Sequence, residues 1–315
     1  MAVEMGRARG GIAASNPLAG ERRARLAVVV GLLVVWAVGL YTAFQMSRIR
    51  AFDMVADVGG GYTSSAYTLL TRSPVIWILL AAPFLGMFFA SRRKSGEESR
   101  IVNGRVMMHP VTGTYLERWV MGLGVLTMLV TAILLGSPTY IHRVLVSPEA
   151  IGQGFNSHVV GVVILTFGLF YHLTNRVLSG DFKDFLPSGQ DFGQAWIGFK
   201  ANLGMADPPA AGKHTPSQKV SYLLWLILWI GMIVTGAIKV STYIVPLPPS
   251  IMGPVNVLYA FVLFLGVVLA AVQLVYTLVL PATWPRIRAA LTGYISEPYA
   301  AEFHSQWYER VKERA

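Results

Sequence analysis

Residues 255–280 read VNVLYAFVLFLGVVLAAVQLVYTLVL, a stretch of 26 residues without a charged side chain. A hydrocarbon core about 30 Å thick is crossed by roughly 20 apolar residues in an α-helix, so this stretch predicts a transmembrane helix. Five further apolar runs lie upstream, at residues 26–44, 74–89, 120–136, 159–173 and 220–238. Together they predict an all-α membrane protein with about six transmembrane helices, of which the last four form a four-helix bundle.

The composition agrees with this prediction. Apolar residues make up 54% of the chain and charged residues only 13%, whereas soluble domains carry about 25% charged residues. Cysteine is absent from the sequence, which excludes disulfides, thiolate catalysis and cysteine-bound iron–sulfur or zinc sites within this chain. Any iron–sulfur cluster must therefore belong to a partner subunit.

The net charge of +10 is distributed unevenly along the chain. Basic residues concentrate before the first apolar run, after the second, after the fourth and after the last. The connections after the first and third runs carry only a few: Arg48, Arg50, Arg72 and Arg143. Because positive charge stays on the cytoplasmic side of a membrane, both termini are expected in the cytoplasm. The same distribution argues for a lipid bilayer, and against nucleic acid, as the partner of these charges.

The pattern divides the chain into five segments. We expect a cytoplasmic N-terminal arm at 1–25, two transmembrane helices with an outside loop at 26–91, a cytoplasmic linker at 92–118, the four-helix core at 119–282, and a cytoplasmic tail at 283–315. The long connection between the fourth and fifth runs is rich in aromatic residues, which suit packing against the membrane surface or a partner, or simply covering the helix ends: Phe182, Phe185, Phe192, Trp196 and Phe199.

Four short stretches carry a resemblance to a known family. LERW at 116–119 opens the third run, SHVVGVV at 157–163 opens the fourth, and Gln218-Lys219 precedes the fifth. The tail runs from LTGY at 291–294 to HSQWYE at 304–309. In this order the stretches resemble the cytochrome b (gamma) subunit of formate dehydrogenases, especially the longer bacterial form with an extra N-terminal helix.

The resemblance implies a cytochrome b-like core that holds two b haems through four histidines. Such a subunit passes electrons between an iron–sulfur subunit and menaquinone or ubiquinone. It implies a location in the bacterial inner (cytoplasmic) membrane. The implied partners are iron–sulfur and molybdopterin subunits and other cytochromes.

The histidines do not supply this ligand set. His158 stands where the family has its ligand in the second core helix, but the position in the first core helix falls near Met121. The last run contains no histidine; depending on the alignment, its two ligand positions hold Tyr259 and Gln273, or Val262 and Tyr276. His158 and His172 are 14 residues apart, about 21 Å along a helix, which suits two stacked haems. The candidate haem ligands are thus His158, His172 and Met121, and the favoured alternative is that both histidines only hydrogen-bond neighbouring groups.

A possible quinone pocket rests on the turn before the fifth run. The resemblance places this turn beside the inner quinone site, where His214, Gln218 and Lys219 have donors for quinone carbonyls. Without a haem, however, an electron has no evident route to them.

We therefore predict a membrane subunit of a respiratory oxidoreductase complex, expected to be non-catalytic itself, which acts as a haem-free anchor for redox partners. The alternative is a working b-type cytochrome that transfers electrons between an iron–sulfur subunit and the quinone pool. A transporter is the least favoured alternative, because the apolar runs lack internal charges and broken-helix Gly/Pro pairs.

Overall fold

Long helices dominate the computed structural model, which describes residues 17–55, 75–92, 99–110, 115–136, 148–242 and 245–314. In chain order the elements are α1 (Pro17–Val55), α2 (Val75–Ser91), β1 (Ile101–Val102), β2 (Arg105–Met107), α3 (Leu116–Gly136), α4 (Pro148–Leu178), α5 (Phe182–Phe185), α6 (Gly189–Asn202), α7 (Pro216–Ser241), α8 (Pro249–Val279), α9 (Trp284–Thr292), β3 (Tyr294–Ser296), α10 (Glu297–Phe303) and α11 (Ser305–Lys312).

Six of these helices are apolar. Among the described residues, α1, α3, α4, α7 and α8 are long and apolar enough to cross a membrane, and α2 is a shorter apolar helix of 17 residues. The prediction of an all-α membrane protein is thereby confirmed. The only strands described are three short ones outside the apolar helices.

The predicted four-helix core consists of α3, α4, α7 and α8. Their inward side chains share one buried apolar cluster, formed by Met128, Leu165, Leu169, Leu226, Leu228, Trp229, Met232 and Val262. Helices α1 and α2 pack on α4 from outside this core, so α4 touches α1, α2 and α3. This position makes α4 the central helix of the membrane part.

Glycines let the backbones of neighbouring helices approach α4 closely. A Cβ added to Gly124 of α3 would lie 2.8 Å from the backbone nitrogen of Leu165, and one added to Gly161 would lie 3.1 Å from the backbone nitrogen of Met128. A Cβ added to Gly86 of α2 would likewise meet the backbone carbonyl oxygen of Phe167 on α4. Small residues allow such contacts in a bilayer, where helix association depends on close packing.

A small folded unit, here called the platform, lies at one end of the helices and comprises β1, β2, β3, α9, α10 and α11. Its antiparallel sheet has the order β1-β2-β3, with Val106 paired to Ile101 on one side and to Ile295 on the other. Its buried core contains Val106, Met108, Ala289, Ile295, Tyr299, Ala300, Phe303, Trp307 and Val311. The segments predicted as a separate linker (92–118) and tail (283–315) thus fold together.

The start of α1 also belongs to this end of the molecule. The segment predicted as an arm, 1–25, is helical from Pro17 onward, and its first 16 residues lie outside the described part. Arg25 is 3% exposed and its Nη1 donates to the carbonyl oxygen of His109 at 2.8 Å. Burial of this side chain against the platform explains why the helix begins earlier than its apolar run. At its other end α1 continues to Val55, into the segment predicted as an outside loop, whose residues 56–74 lie outside the described part.

The six apolar helices alternate in direction. The platform end holds the beginnings of α1, α3 and α7 and the ends of α2, α4 and α8. Platform segments adjoin α2, α3 and α8 in the chain. The other three ends are placed by contacts: Arg25 of α1 bonds to His109, Arg176 at the end of α4 pairs with Glu117 at the start of α3, and Ala211 before α7 accepts from Gln306 of the platform. Both described ends of the chain lie at the platform: the start of α1 is bonded to it through Arg25, and α11 belongs to it.

Candidate functional site

The two histidines of α4 each join three helices. His172 is 5% exposed; its Nδ1 is hydrogen-bonded to Oε1 of Glu117 on α3, and its Nε2 to the hydroxyl of Tyr222 on α7 at 2.9 Å. Arg176 donates to the same carboxylate at 3.3 Å. We call Glu117, His172, Arg176 and Tyr222 the His172 network.

Helix geometry explains why this network forms. Glu117 lies in the first turn of α3 and Arg176 in the last turn of α4, where each charge is favoured by the helix dipole. Antiparallel packing of the two helices brings these turns together. The carboxylate and the guanidinium are both nearly buried, with side-chain exposures of 4% and 8%. The attraction between the two charges therefore offsets part of the free-energy cost of removing them from water.

The second histidine lies at the opposite end of α4 and has neutral partners. His158 Nδ1 is 2.9 Å from Thr131 Oγ1 on α3, and Nε2 is 3.2 Å from the Tyr259 hydroxyl on α8. Thr131 itself donates to the Thr127 carbonyl at 2.6 Å, so its oxygen accepts from Nδ1–H and Nε2 accepts from Tyr259. We call Thr131, His158 and Tyr259 the His158 network.

The arrangement of these candidate ligands does not fit a b haem. Haem iron needs a free imidazole nitrogen or another axial ligand aimed at it, but both ring nitrogens of His158 and His172 are hydrogen-bonded to protein groups. A Cβ at Gly168 would lie 3.0 Å from Met121 Cγ, so Met121 packs against the backbone of α4. In the last helix, Tyr259 and Gln273 serve as hydrogen-bonding partners: Gln273 accepts from Trp225 Nε1 of α7 at 2.8 Å.

The three candidate quinone ligands do not form one cluster. Gln218 Oε1 accepts from the backbone nitrogen of Thr215 at 2.9 Å and closes a capping box at the start of α7. Lys219 Nζ lies 3.3 Å from Asp191 Oδ2 and ties α7 to α6. Only His214 belongs to a larger group of polar residues, with its ring 4.0 Å from that of Phe185, centroid to centroid.

That larger group is a basic cluster at the platform end, formed by Arg118, Arg176, Lys213 and His214. Phe185 joins two of its members, since Arg176 Cζ lies 4.5 Å from the centroid of the Phe185 ring and the His214 ring packs against the same ring at a tilt of 39°. The Lys213 ammonium lies 5.9 Å from the Trp307 ring of the platform. Residues from α3, α4, the segment before α7 and the platform thus meet here.

The pKa values of two members of the cluster reflect this crowding. Burial, and then the positive charges of Arg118, Lys213 and Arg176, hold the pKa of His214 well below its usual range. Burial lowers the pKa of Lys213 to about 8; repulsion from Arg176 and Arg118 adds to this effect, and attraction to the Asp181 carboxylate opposes it. At neutral pH His214 is therefore neutral, while most Lys213 side chains retain their proton.

Sequence reasoning missed Glu117, Tyr222, Arg118 and Lys213 as members of these sites. Glu117 and Arg118 stand just before the apolar run that begins at residue 120, and they enter the sequence reasoning only as part of the LERW stretch that carries the resemblance. Two adjacent charged residues in the first turn of an apolar helix are the signal that indicates these sites. Because consecutive side chains point in different directions around the helix axis, such a pair contacts two different neighbours.

No family model, no curated protein and no solved structure matches this chain. The resemblance to formate dehydrogenase cytochrome b subunits stays a prediction.

Proposed function

We propose that the chain is an integral membrane subunit of a respiratory oxidoreductase complex in a bacterial inner membrane, where it acts as a haem-free anchor for redox partner subunits. The observation that carries this proposal is the hydrogen bonding of His158 and His172. Each imidazole joins three helices through both ring nitrogens, so hydrogen bonds stabilise the bundle at the positions where the resembling family would hold a cofactor.

The platform supports the anchoring role. It is attached to the bundle at several points, among them the bond from Arg25 to the His109 carbonyl and the bond from the Gln306 backbone nitrogen to the Ala211 carbonyl at 3.1 Å. Such attachment holds its outer surface in a fixed orientation relative to the membrane, which suits a docking surface for peripheral subunits. The excess of basic residues at this end favours the cytoplasmic side for it.

Loss of the anchor tests the docking role directly. In cells that lack this chain, dye-linked dehydrogenase activity, with formate as the first substrate to try, should move from the membrane fraction to the soluble fraction. Complementation with the intact chain should return it to the membrane. Dye-linked activity of unchanged distribution in the deletion strain would contradict the anchoring proposal.

The absence of haem is a separate part of the proposal and needs its own measurement. A reduced-minus-oxidised spectrum of the purified chain should lack the alpha band of a b-type haem, and the spectrum of the intact complex should be unchanged by His158→Ala. An alpha band that disappears in His158→Ala or His172→Ala would instead establish the alternative function, a b-type cytochrome feeding or draining the quinone pool.

A further inference from the structure

Helix α6 carries a row of apolar side chains, here called the α6 stripe, which the rest of the described chain leaves largely uncovered. It consists of Phe192, Trp196, Phe199 and Leu203, the last of which directly follows the helix. Because a helix turns about 100° per residue, these positions share a sector of about 60° on the helix surface. Phe192 is 53% exposed, Trp196 61% and Leu203 43%. Exposed apolar side chains that form a continuous row indicate an interaction surface.

The other sides of α6 are polar or face the protein. Asp191 is buried, and its Oδ2 lies 3.3 Å from Lys219 Nζ at the start of α7. Asn202 is also buried, and its Nδ2 donates to the Tyr276 hydroxyl of α8. Gln190 is exposed and lies about 160° from the first residue of the stripe around the helix axis. The helix is therefore amphipathic, and its stripe carries no charge.

Ring stacking attaches the stripe to the lateral surface of α8. The Phe199 ring stacks on Tyr276 of α8 with centroids 5.9 Å apart, and the Trp196 ring stacks on Phe199 at 5.2 Å. Tyr276 lies in the last turn of α8, about 4.5 Å along the axis from the end of this helix. Its neighbours Val275 and Leu278 are exposed on a helix that is apolar enough to cross a membrane. The stripe is thus continuous with a surface that faces lipid.

A second tryptophan lies at the same level of α8. Trp284 follows the turn at Pro281–Thr283, is 47% exposed, and donates from Nε1 to the carbonyl oxygen of Leu278 at 3.2 Å. Tryptophan and tyrosine concentrate where hydrocarbon meets water, because their rings are apolar and carry one polar group. Trp196, Tyr276 and Trp284 therefore indicate the membrane–water interface at the platform end.

We propose that α6 lies in the membrane surface on the platform side, with the α6 stripe inserted into that leaflet of the lipid bilayer. Amphipathic helices lie in the interface with their apolar face about 5–10 Å deep, and the position of Tyr276, about 4.5 Å from the end of α8, agrees with such a depth. A soluble partner would have to reach below the level at which α8 leaves the bilayer. The inference rests on the apolar helices and is independent of whether the chain anchors redox partners.

Spin labels at single cysteines test this placement in the full chain, which contains no cysteine of its own. Phe192→Cys and Leu203→Cys place a label at either end of the stripe and leave the stack of aromatic rings between them intact. Gln190→Cys is the matched control, because its label lies on the opposite side of the same helix and is also exposed.

Each variant is reconstituted in vesicles of phosphatidylcholine and phosphatidylglycerol. Power saturation then measures how accessible each label is to oxygen, which partitions into lipid, and to a nickel chelate, which stays in water. Phe264→Cys, 62% exposed in the middle of α8, is the reference for lipid, and Arg288→Cys, exposed on α9, is the reference for water.

The ratio of oxygen accessibility to nickel-chelate accessibility should be several-fold higher for both stripe labels than for Gln190→Cys, and should lie between the two references. Stripe labels that resemble Gln190→Cys would place α6 in water and overturn the proposal. Stripe labels that neither reagent reaches would also overturn it, because a second copy of the chain would then cover the stripe in place of lipid.

Discussion

The two ends of α4 use the same residue type in opposite surroundings. His172 lies at the platform end, almost fully buried, and is bonded to a carboxylate that also pairs with an arginine. His158 lies at the other end, is half-buried, and is bonded to a threonine and a tyrosine. The connections nevertheless follow one plan, since each Nδ1 reaches α3 and each Nε2 reaches a tyrosine hydroxyl on α7 or α8.

This comparison indicates how the bundle is held together. Helices α3 and α4 touch through their backbones at glycine positions, whereas the α7–α8 pair is joined to them at both ends by a histidine–tyrosine bond. The platform end adds a buried ion pair to that bond. The far end adds a neutral hydrogen bond and the contact of the Lys239 ammonium with the Tyr259 ring, 4.4 Å from its centroid. We therefore expect the two ends to contribute unequally to stability.

The largest effect is expected from Glu117→Ala. This change leaves Arg176 and His172 buried without their shared carboxylate, and removal of one partner from a buried ion pair costs about 3–5 kcal/mol. The free energy of unfolding in detergent micelles, measured by denaturant titration, should fall by that amount. Glu117→Gln keeps the size of the side chain and one acceptor oxygen, so its free energy of unfolding should fall less. A loss of unfolding free energy in Glu117→Ala no larger than that in Thr131→Val would contradict the unequal contribution of the two ends to stability.

Gly124→Ala should give the next largest effect, because it disturbs the contact between the two networks. The residue opposite Gly124 is Leu165, which is seven positions from each histidine. The added methyl group would meet the α4 backbone, and such overpacking costs about 2 kcal/mol. Gly122→Ala is the matched control: nothing lies within 4 Å of its added Cβ, so it should be neutral or slightly stabilising. Equal losses in both variants would contradict the close approach.

At the far end, Thr131→Val removes the hydroxyl bonded to His158 while it keeps the shape of the side chain. Loss of one neutral hydrogen bond should lower the free energy of unfolding by about 1 kcal/mol. Thr235→Val serves as the control, because the Thr235 hydroxyl bonds only to carbonyl oxygens of its own helix. An equal loss of unfolding free energy in Thr131→Val and Thr235→Val would mean that the bond between Thr131 and His158 does not contribute to stability.

A further effect appears only as the pH is changed and should be confined to the platform end. The pKa of Lys213 is about 8 in the folded protein and 10.5 without its surroundings, so the unfolded chain binds more protons between these values. The free energy of unfolding should therefore rise with pH from 8 to about 10.5 relative to Lys213→Gln, and the difference should be constant below pH 8. Lys200→Gln controls for the loss of a lysine. A difference between wild type and Lys213→Gln that does not change with pH would contradict the burial of this ammonium.

The sequence predicts the six apolar helices well because each run is long and nearly free of charge. It misses the platform because strands of two or three residues are too short for an alternating pattern to be recognised. The helical turns of α1 that precede its apolar run also leave no signal in the sequence, since the burial of Arg25 depends on the platform residues that surround it.

The site is predictable only in part for a similar reason. His158 and His172 stand out because histidine is rare in apolar runs, and their spacing places both at the ends of one helix. Their partners Tyr222 and Tyr259 come from other helices, and only the packing of the bundle selects them among the tyrosines of the chain. Gln273, which one alignment sets at a haem-ligand position, instead accepts a hydrogen bond from Trp225 of α7.

The contact between Arg25 and Gly293 has a consequence for biosynthesis. The guanidinium occupies the space in which any side chain at position 293 would stand, and Gly293 itself has a positive φ of 79°. Residue 25 precedes the apolar part of every membrane helix described, yet its binding place is completed only by Gly293 and Tyr294, which follow the last of these helices in the chain. Closure of the platform therefore requires that every membrane crossing has been made. A chain inserted with one crossing too few would leave Arg25 and its tyrosine neighbours exposed to quality-control proteases.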